Sequence, residues 1–117
     1  MNIFIIHPIR NASQKVIDAV ELYVKHLEDK GHSVYDPQRD TEQDDPIGLN
    51  ICNQNKDAIL NADEVHIAWD GKSTGSLFDI GMAFMANKKV KIIKDIFPDK
   101  TKGKSFANMI RAYSIRD

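Results

Sequence analysis

Three short apolar runs punctuate this chain: NIFII from Asn2 to Ile6, EVHIAWD from Glu64 to Asp70, and KVKII from Lys89 to Ile93. Between them, apolar residues recur at the three-to-four spacing of helices. Short runs of this kind mark buried strands, and strands alternating with helices require a parallel sheet covered on both faces. From Ser13 to Lys30 the positions Val16, Ile17, Val20, Val24 and Leu27 share one helical face, with Ser13 as N-cap and Gly31 just past the end. HSVYD, His32 to Asp36, reads as another strand, and PQRDTEQDDPIG as a polar loop. A helix is predicted from Leu49 to Asn61 on Leu49, Cys52, Ile59 and Leu60, another from about Gly75 to Asn87, and a last one from about Gly103 to Tyr113.

The expected architecture is α/β: a single domain over residues 1–117, with a parallel sheet of four to five strands and helices on both faces, a flavodoxin- or Rossmann-like three-layer arrangement. Ligands of such sheets bind beyond the carboxyl ends of the strands, where strand order reverses. With the first strand central, the second on one side and the third on the other, HPIR (His7 to Arg10) faces DGKSTGS (Asp70 to Ser76) across that crevice.

Composition excludes more than it identifies. One cysteine, Cys52, rules out an internal disulfide, and no apolar segment suggests a signal peptide or a membrane span, so a soluble cytoplasmic protein is expected. The four histidines lack metal-ligand spacing, so neither a metal nor a cofactor is expected. Dinucleotide, Walker and nucleophile-elbow motifs are absent, and basic residues are not interleaved with aromatics as a nucleic-acid groove would require. Charge is uneven: residues 1–87 hold seven Lys/Arg against fourteen Asp/Glu, whereas residues 88–117 hold nine against three.

Candidate site residues follow from the crevice. Arg10, just past the first strand, suits a phosphate or carboxylate, or is a surface loop arginine. Ser73 and Thr74 precede a helix, where a hydroxyl caps the helix and also suits a phosphate oxygen, and Gly75 admits close approach of a ligand to the backbone. Asp79, early in that helix, is either an acid favoured by the helix dipole or a nucleophile that the same dipole keeps ionised. Asp70 ends a strand aimed at the crevice. Gly81, unfavourable within a helix, predicts a closely packed neighbour. Asp63, His66 and Trp69 read as structural.

Three segments together resemble the nucleoside 2-deoxyribosyltransferases and the related 2'-deoxynucleoside 5'-phosphate N-hydrolases. IRNAS, Ile9 to Ser13, is similar to the hydrolases' phosphate-binding Ser-Ile-Arg-Gly-Gly turn. ADEVHIAWDGKSTGSLFDIGMA, Ala62 to Ala83, is similar to the family's Ala-Asp pair, strand, glycine-containing turn and Glu-Leu-Gly-x-Ala. NMIRAY, Asn108 to Tyr113, resembles the Met-Ile-Arg-Gly segment of the hydrolases.

The resemblance implies that Asp79 stands at the catalytic glutamate, Ser73 at a phosphate-binding serine and Arg10 at the phosphate-binding arginine. It puts Asn55 where the family has a helical aspartate. Ala107 falls on a serine that reaches a neighbouring subunit's phosphate, with Ser105 and Asn108 the nearest polar residues, and Pro8 on the first-loop serine. It implies cleavage of the N-glycosidic bond of a deoxyribonucleotide or deoxyribonucleoside, by hydrolysis or base exchange, with Asp70 as candidate acid. A homodimer or larger homo-oligomer is also implied, with the basic C-terminal region as candidate contact. Two other readings stay open from sequence: a non-catalytic nucleotide-binding module, and a TIR-like domain that cleaves a nicotinamide dinucleotide.

Overall fold

The computed structural model describes residues 1–115; Arg116 and Asp117 of the basic tail lie outside the described residues. Four strands, β1 (Asn2–Ile6), β2 (Ser33–Tyr35), β3 (Glu64–Ile67) and β4 (Lys89–Ile92), form one parallel sheet in the order β2-β1-β3-β4. The expected α/β architecture is what is found, with four strands and a central β1.

The helices are α1 (Gln14–Asp29), a short α2 (Pro37–Asp40), α3 (Leu49–Asn61), α4 (Thr74–Met85) and α5 (Phe106–Tyr113). Alternation along the strands divides the core. Phe4, Ile6, Val65, Ile67 and Val90 face Ile59 of α3, Ile80 and Ala83 of α4 and Ile110 of α5. Ile3, Ile5 and Val34 face Val20, Val24 and Leu27 of α1. β1 is thus apolar on both sides, as the central strand of a sheet sandwiched by helices requires, whereas β3 and β4 carry Glu64, His66, Lys89 and Lys91 on their second face.

Local chemistry explains where these elements start and stop. Ser13 caps α1 by accepting from the Val16 amide, and Gly31, just beyond the end, has φ 94, a conformation glycine adopts without strain. α4 stops at Met85 rather than Asn87, because Asn87 itself turns left-handed at φ 55. α5 begins at Phe106, later than predicted: Gly103 is left-handed, and Ser105 accepts from the Asn108 amide as N-cap. The predicted loop after β2 contains α2, nucleated by Asp36 as N-cap with Pro37 in the first turn, a pairing that favours helix initiation.

Two expectations about packing are corrected. Leu49 and Leu60 of α3 are 63% and 57% exposed, whereas Asn55 and Ile59 are buried. The face α3 turns inward is polar at its middle because it looks onto the carboxyl-end crevice as well as the apolar core. Gly81 has no packed neighbour: a Cβ built there meets nothing within 4 Å. Gly81→Ala is therefore expected to stabilise the fold by about 1 kcal/mol through helix propensity, read as a raised urea midpoint with unchanged slope. A destabilised variant would show that Gly81 needs its backbone freedom.

The structural readings of Asp63 and His66 hold. Asp63 Oδ2 accepts from the Asn2 amide at 2.7 Å, and buried His66 hydrogen-bonds both Tyr23 (2.6 Å) and Glu64 (3.0 Å). No described helix is long and apolar enough to cross a membrane.

Candidate active site

β1 and β3 are neighbours in register Ile6 with Ile67, so the loops that follow them lie side by side at the carboxyl edge of the sheet. The β1 loop begins with buried His7 and Pro8 and then makes a tight turn, with the Ala12 amide bonded to the Ile9 carbonyl and Asn11 at φ 59. Asparagine is one of the few residues that enter this conformation readily. The turn leaves Arg10 exposed, immediately before the N-terminus of α1.

The β3 loop is pinned from two sides. Asp70 Oδ1 accepts from the Lys72 and Ser73 amides, both at 2.8 Å, and the buried Trp69 ring donates from Nε1 to the Ser73 carbonyl at 3.0 Å. Ser73 then caps α4: its Oγ accepts from the Ser76 amide (3.3 Å) and the Ser76 hydroxyl (3.0 Å). A hydroxyl that accepts twice keeps its own proton to donate, so capping leaves Ser73 able to bind an anion. Thr74 and Gly75 are exposed in the first turn, and a Cβ at Gly75 would meet nothing within 4 Å.

Asp79 is the sixth residue of α4 and its only titratable one, past the first turn where the helix dipole acts. The dipole expectation is accordingly corrected: burial dominates and pushes the Asp79 carboxyl up to about 6, opposed by a hydrogen bond from Asn55 and by the charge of His7. Asn55, 5% exposed, thus meets Asp79 across the α3–α4 interface.

The sequence reading missed the groups behind these two. His7, its side chain fully buried, places Nε2 2.7 Å from Asp36 Oδ1 and Nδ1 3.0 Å from the Pro8 carbonyl. On the other flank, the Thr41 hydroxyl donates to Asn55 Oδ1 at 2.7 Å and lies 2.6 Å from the Tyr35 hydroxyl. The signal lay in the run Tyr35-Asp36-Pro37 ending a strand, but its partners are far away in sequence.

Asn108 stands apart from this arrangement. Its side chain accepts from the Thr101 amide and donates to the Thr101 and Gly103 carbonyls, the latter two at 2.7 Å, bracing the loop ahead of α5. Its polar atoms are consumed within the chain.

No protein-family model matches the chain, and no curated protein matches it in sequence. In solved structures, a 2-deoxyribosyltransferase from the psychrotolerant bacterium Bacillus psychrosaccharolyticus superposes with a TM-score of 0.73, covering 100% of this chain and 87% of that one at 17% identity. The fold is that of a 2-deoxyribosyltransferase. In this deoxyribosyltransferase fold the β1 loop carries the exposed Arg10, the neighbouring β3 loop leads to Ser73 at the start of α4, and Asp79 follows one helical turn and a half further along, next to Asn55 and His7.

Proposed function

We propose that this protein cleaves the N-glycosidic bond of a 2'-deoxyribonucleoside 5'-monophosphate or 2'-deoxyribonucleoside, by hydrolysis or base exchange, with Asp79 as nucleophile. The observation that carries this reading is the Asp79 carboxyl itself. It lies on α4 of a deoxyribosyltransferase fold, beside the buried Asn55 amide, and burial pushes it up to about 6. A carboxylate with that pKa is mostly ionised at pH 7 yet poorly solvated, and so remains nucleophilic.

In the proposed reaction, an Asp79 oxygen attacks the anomeric carbon as the carbon–nitrogen bond breaks. The bond's electron pair leaves on the base, which takes a proton from water, because Asp70 is engaged in accepting the Lys72 and Ser73 amides. The resulting glycosyl ester is attacked at the anomeric carbon by water, or by a second base, which restores the carboxylate and passes a proton back. The exposed Arg10, the donor proton of Ser73 and the first-turn amides at Thr74 and Gly75 suit the 5'-phosphate. Asn55 serves by holding the nucleophile, since its carbonyl is already taken by Thr41. The proposal includes a homodimer or larger assembly, supported by exposed apolar residues on α4 and α5, among them Phe78, Met85 and Phe106.

The test incubates the protein with a panel of deoxynucleotides and deoxynucleosides, with and without an acceptor base, and follows free or exchanged base by chromatography. The sample's oligomeric state is fixed by sedimentation, and a dimer or larger species is expected. Base release should rise with pH through about 6, because Asp79 must lose its proton to attack. No release from any substrate, or release that survives Asp79→Asn, sinks the proposal.

A further inference from the structure

We infer that the short segment Tyr35–Thr41, at the end of β2 and through α2, is the positioning element of the Asp79 carboxyl, with Asp36 acting through His7 and Thr41 acting through Asn55. Nothing in the comparisons assigns a role to this segment; the inference rests on the proposal that Asp79 is the nucleophile.

The two arms are built from buried polar groups. Asp36 (6% exposed) and Thr41 (4%) are covered as thoroughly as core residues, as are His7 and Asn55 (both 5%). Buried polar groups persist where every partner is satisfied. Asp36 uses one oxygen to hold His7 at 2.7 Å and to cap α2 at the Gln38 amide, 3.1 Å away. Both ring nitrogens of His7 face acceptors, Asp36 and the Pro8 carbonyl, so a ring carrying two N–H protons satisfies both.

The second arm has a direction. A carboxylate accepts only, so Asn55 must turn its NH₂ toward Asp79 and its carbonyl toward Thr41. Thr41 therefore donates to Asn55, and Tyr35, 2.6 Å behind, donates to Thr41. Every proton in the line Tyr35, Thr41, Asn55 points at Asp79. The acceptor-only carboxylate sets which end of the amide it meets, and the Thr41 hydroxyl, by donating to the other end, holds the amide there. The Tyr35 ring is in turn fixed by stacking on Phe4, with centroids 5.5 Å apart and planes within 11°.

The groups that face Asp79 are few. Its own helix offers no second titratable residue, α3 offers the uncharged Asn55, and the β1 end offers His7 with Asp36 behind it. Cutting either arm should therefore shift Asp79 in the same direction, upward, because each removes support for the charged form.

The experiment follows the Asp79 carboxyl carbon by NMR through a pH titration, in the wild type and in Thr41→Val, Thr41→Ser, Tyr35→Phe and Asp36→Asn. Thr41→Val and Asp36→Asn should each raise the midpoint by about half a unit to one unit. Tyr35→Phe should raise it less, and Thr41→Ser, which keeps the donor, should leave it in place. Midpoints unmoved from wild type in both Thr41→Val and Asp36→Asn overturn the inference. Because this readout needs no turnover, shifted midpoints uphold the positioning role even if no glycosidic substrate is found, whereas unshifted midpoints with a working enzyme sink the role alone.

Discussion

Asp79→Asn is expected to abolish base release, by at least about a thousandfold, and at the same time to make the protein more stable at neutral pH. The second effect follows from the sign of the shift. The folded-state pKa of Asp79, about 6, lies above the ordinary carboxylate value of 3.8, so between those limits the native state holds a proton that the unfolded chain releases. Wild-type stability is then greatest with respect to this group below about pH 4, and is lost as the pH rises through 6. Two pKa units correspond to about 3 kcal/mol, and the partial exposure of Asp79 trims that to between about 1 and 3. Asparagine never ionises and escapes the loss. Urea unfolding at pH 4.5 and 7.5 checks this: the variant's advantage should be small in acid and full at neutral pH. An advantage equal at both values would trace the gain to packing instead of charge.

The second large effect is expected at His7. Replacing it with leucine fills much the same volume but leaves Asp36 buried opposite an apolar side chain. Breaking a buried pair by removing one partner costs roughly 3 kcal/mol or more, and in a domain of this size the melting temperature should fall by roughly 10 °C. His7→Gln, which can still donate to Asp36, should lose distinctly less. Thermal unfolding of the two variants side by side distinguishes them, and equal melting temperatures would mean that the His7–Asp36 contact at 2.7 Å adds nothing to stability. His7 also draws Asp79 down, so any base release by His7→Leu should show its acid limb at higher pH than the wild type.

Much of the fold was legible because its determinants are local. Ser13 and Ser73 announce helix starts by residue type and position, Gly31 announces an end, and the apolar runs mark the strands. The strand order was supposed rather than derived: crossover handedness does not choose the central strand, and the structure has β1 between β2 and β3 as supposed, with β4 beyond β3. The elements that carry Arg10, Ser73 and Asp79 were legible, since the loops after β1 and β3 leave the carboxyl ends of adjacent parallel strands. What escaped is what depends on pairing across long separations: His7 with Asp36, 29 residues apart, and Thr41 with Asn55, 14 apart. Asn55 was legible only through the resemblance, as the counterpart of a helical aspartate, and its polarity is the reason that face can sit against a carboxylate. Asp79 itself was placed correctly but given the wrong electrostatics, because distance from the helix start weakens the dipole while burial, invisible in sequence, takes over.

β2 is an edge strand of three residues, paired with β1 alone. Short edge elements open at lower free energy than the centre of a sheet, without the rest of the domain melting. Both of the proposed supports of Asp79 begin at the end of that strand, so its transient detachment would release them together. The working lifetime of the crevice is thus governed by the least protected amides of the sheet, and heat should silence the chemistry while the apolar core is still intact.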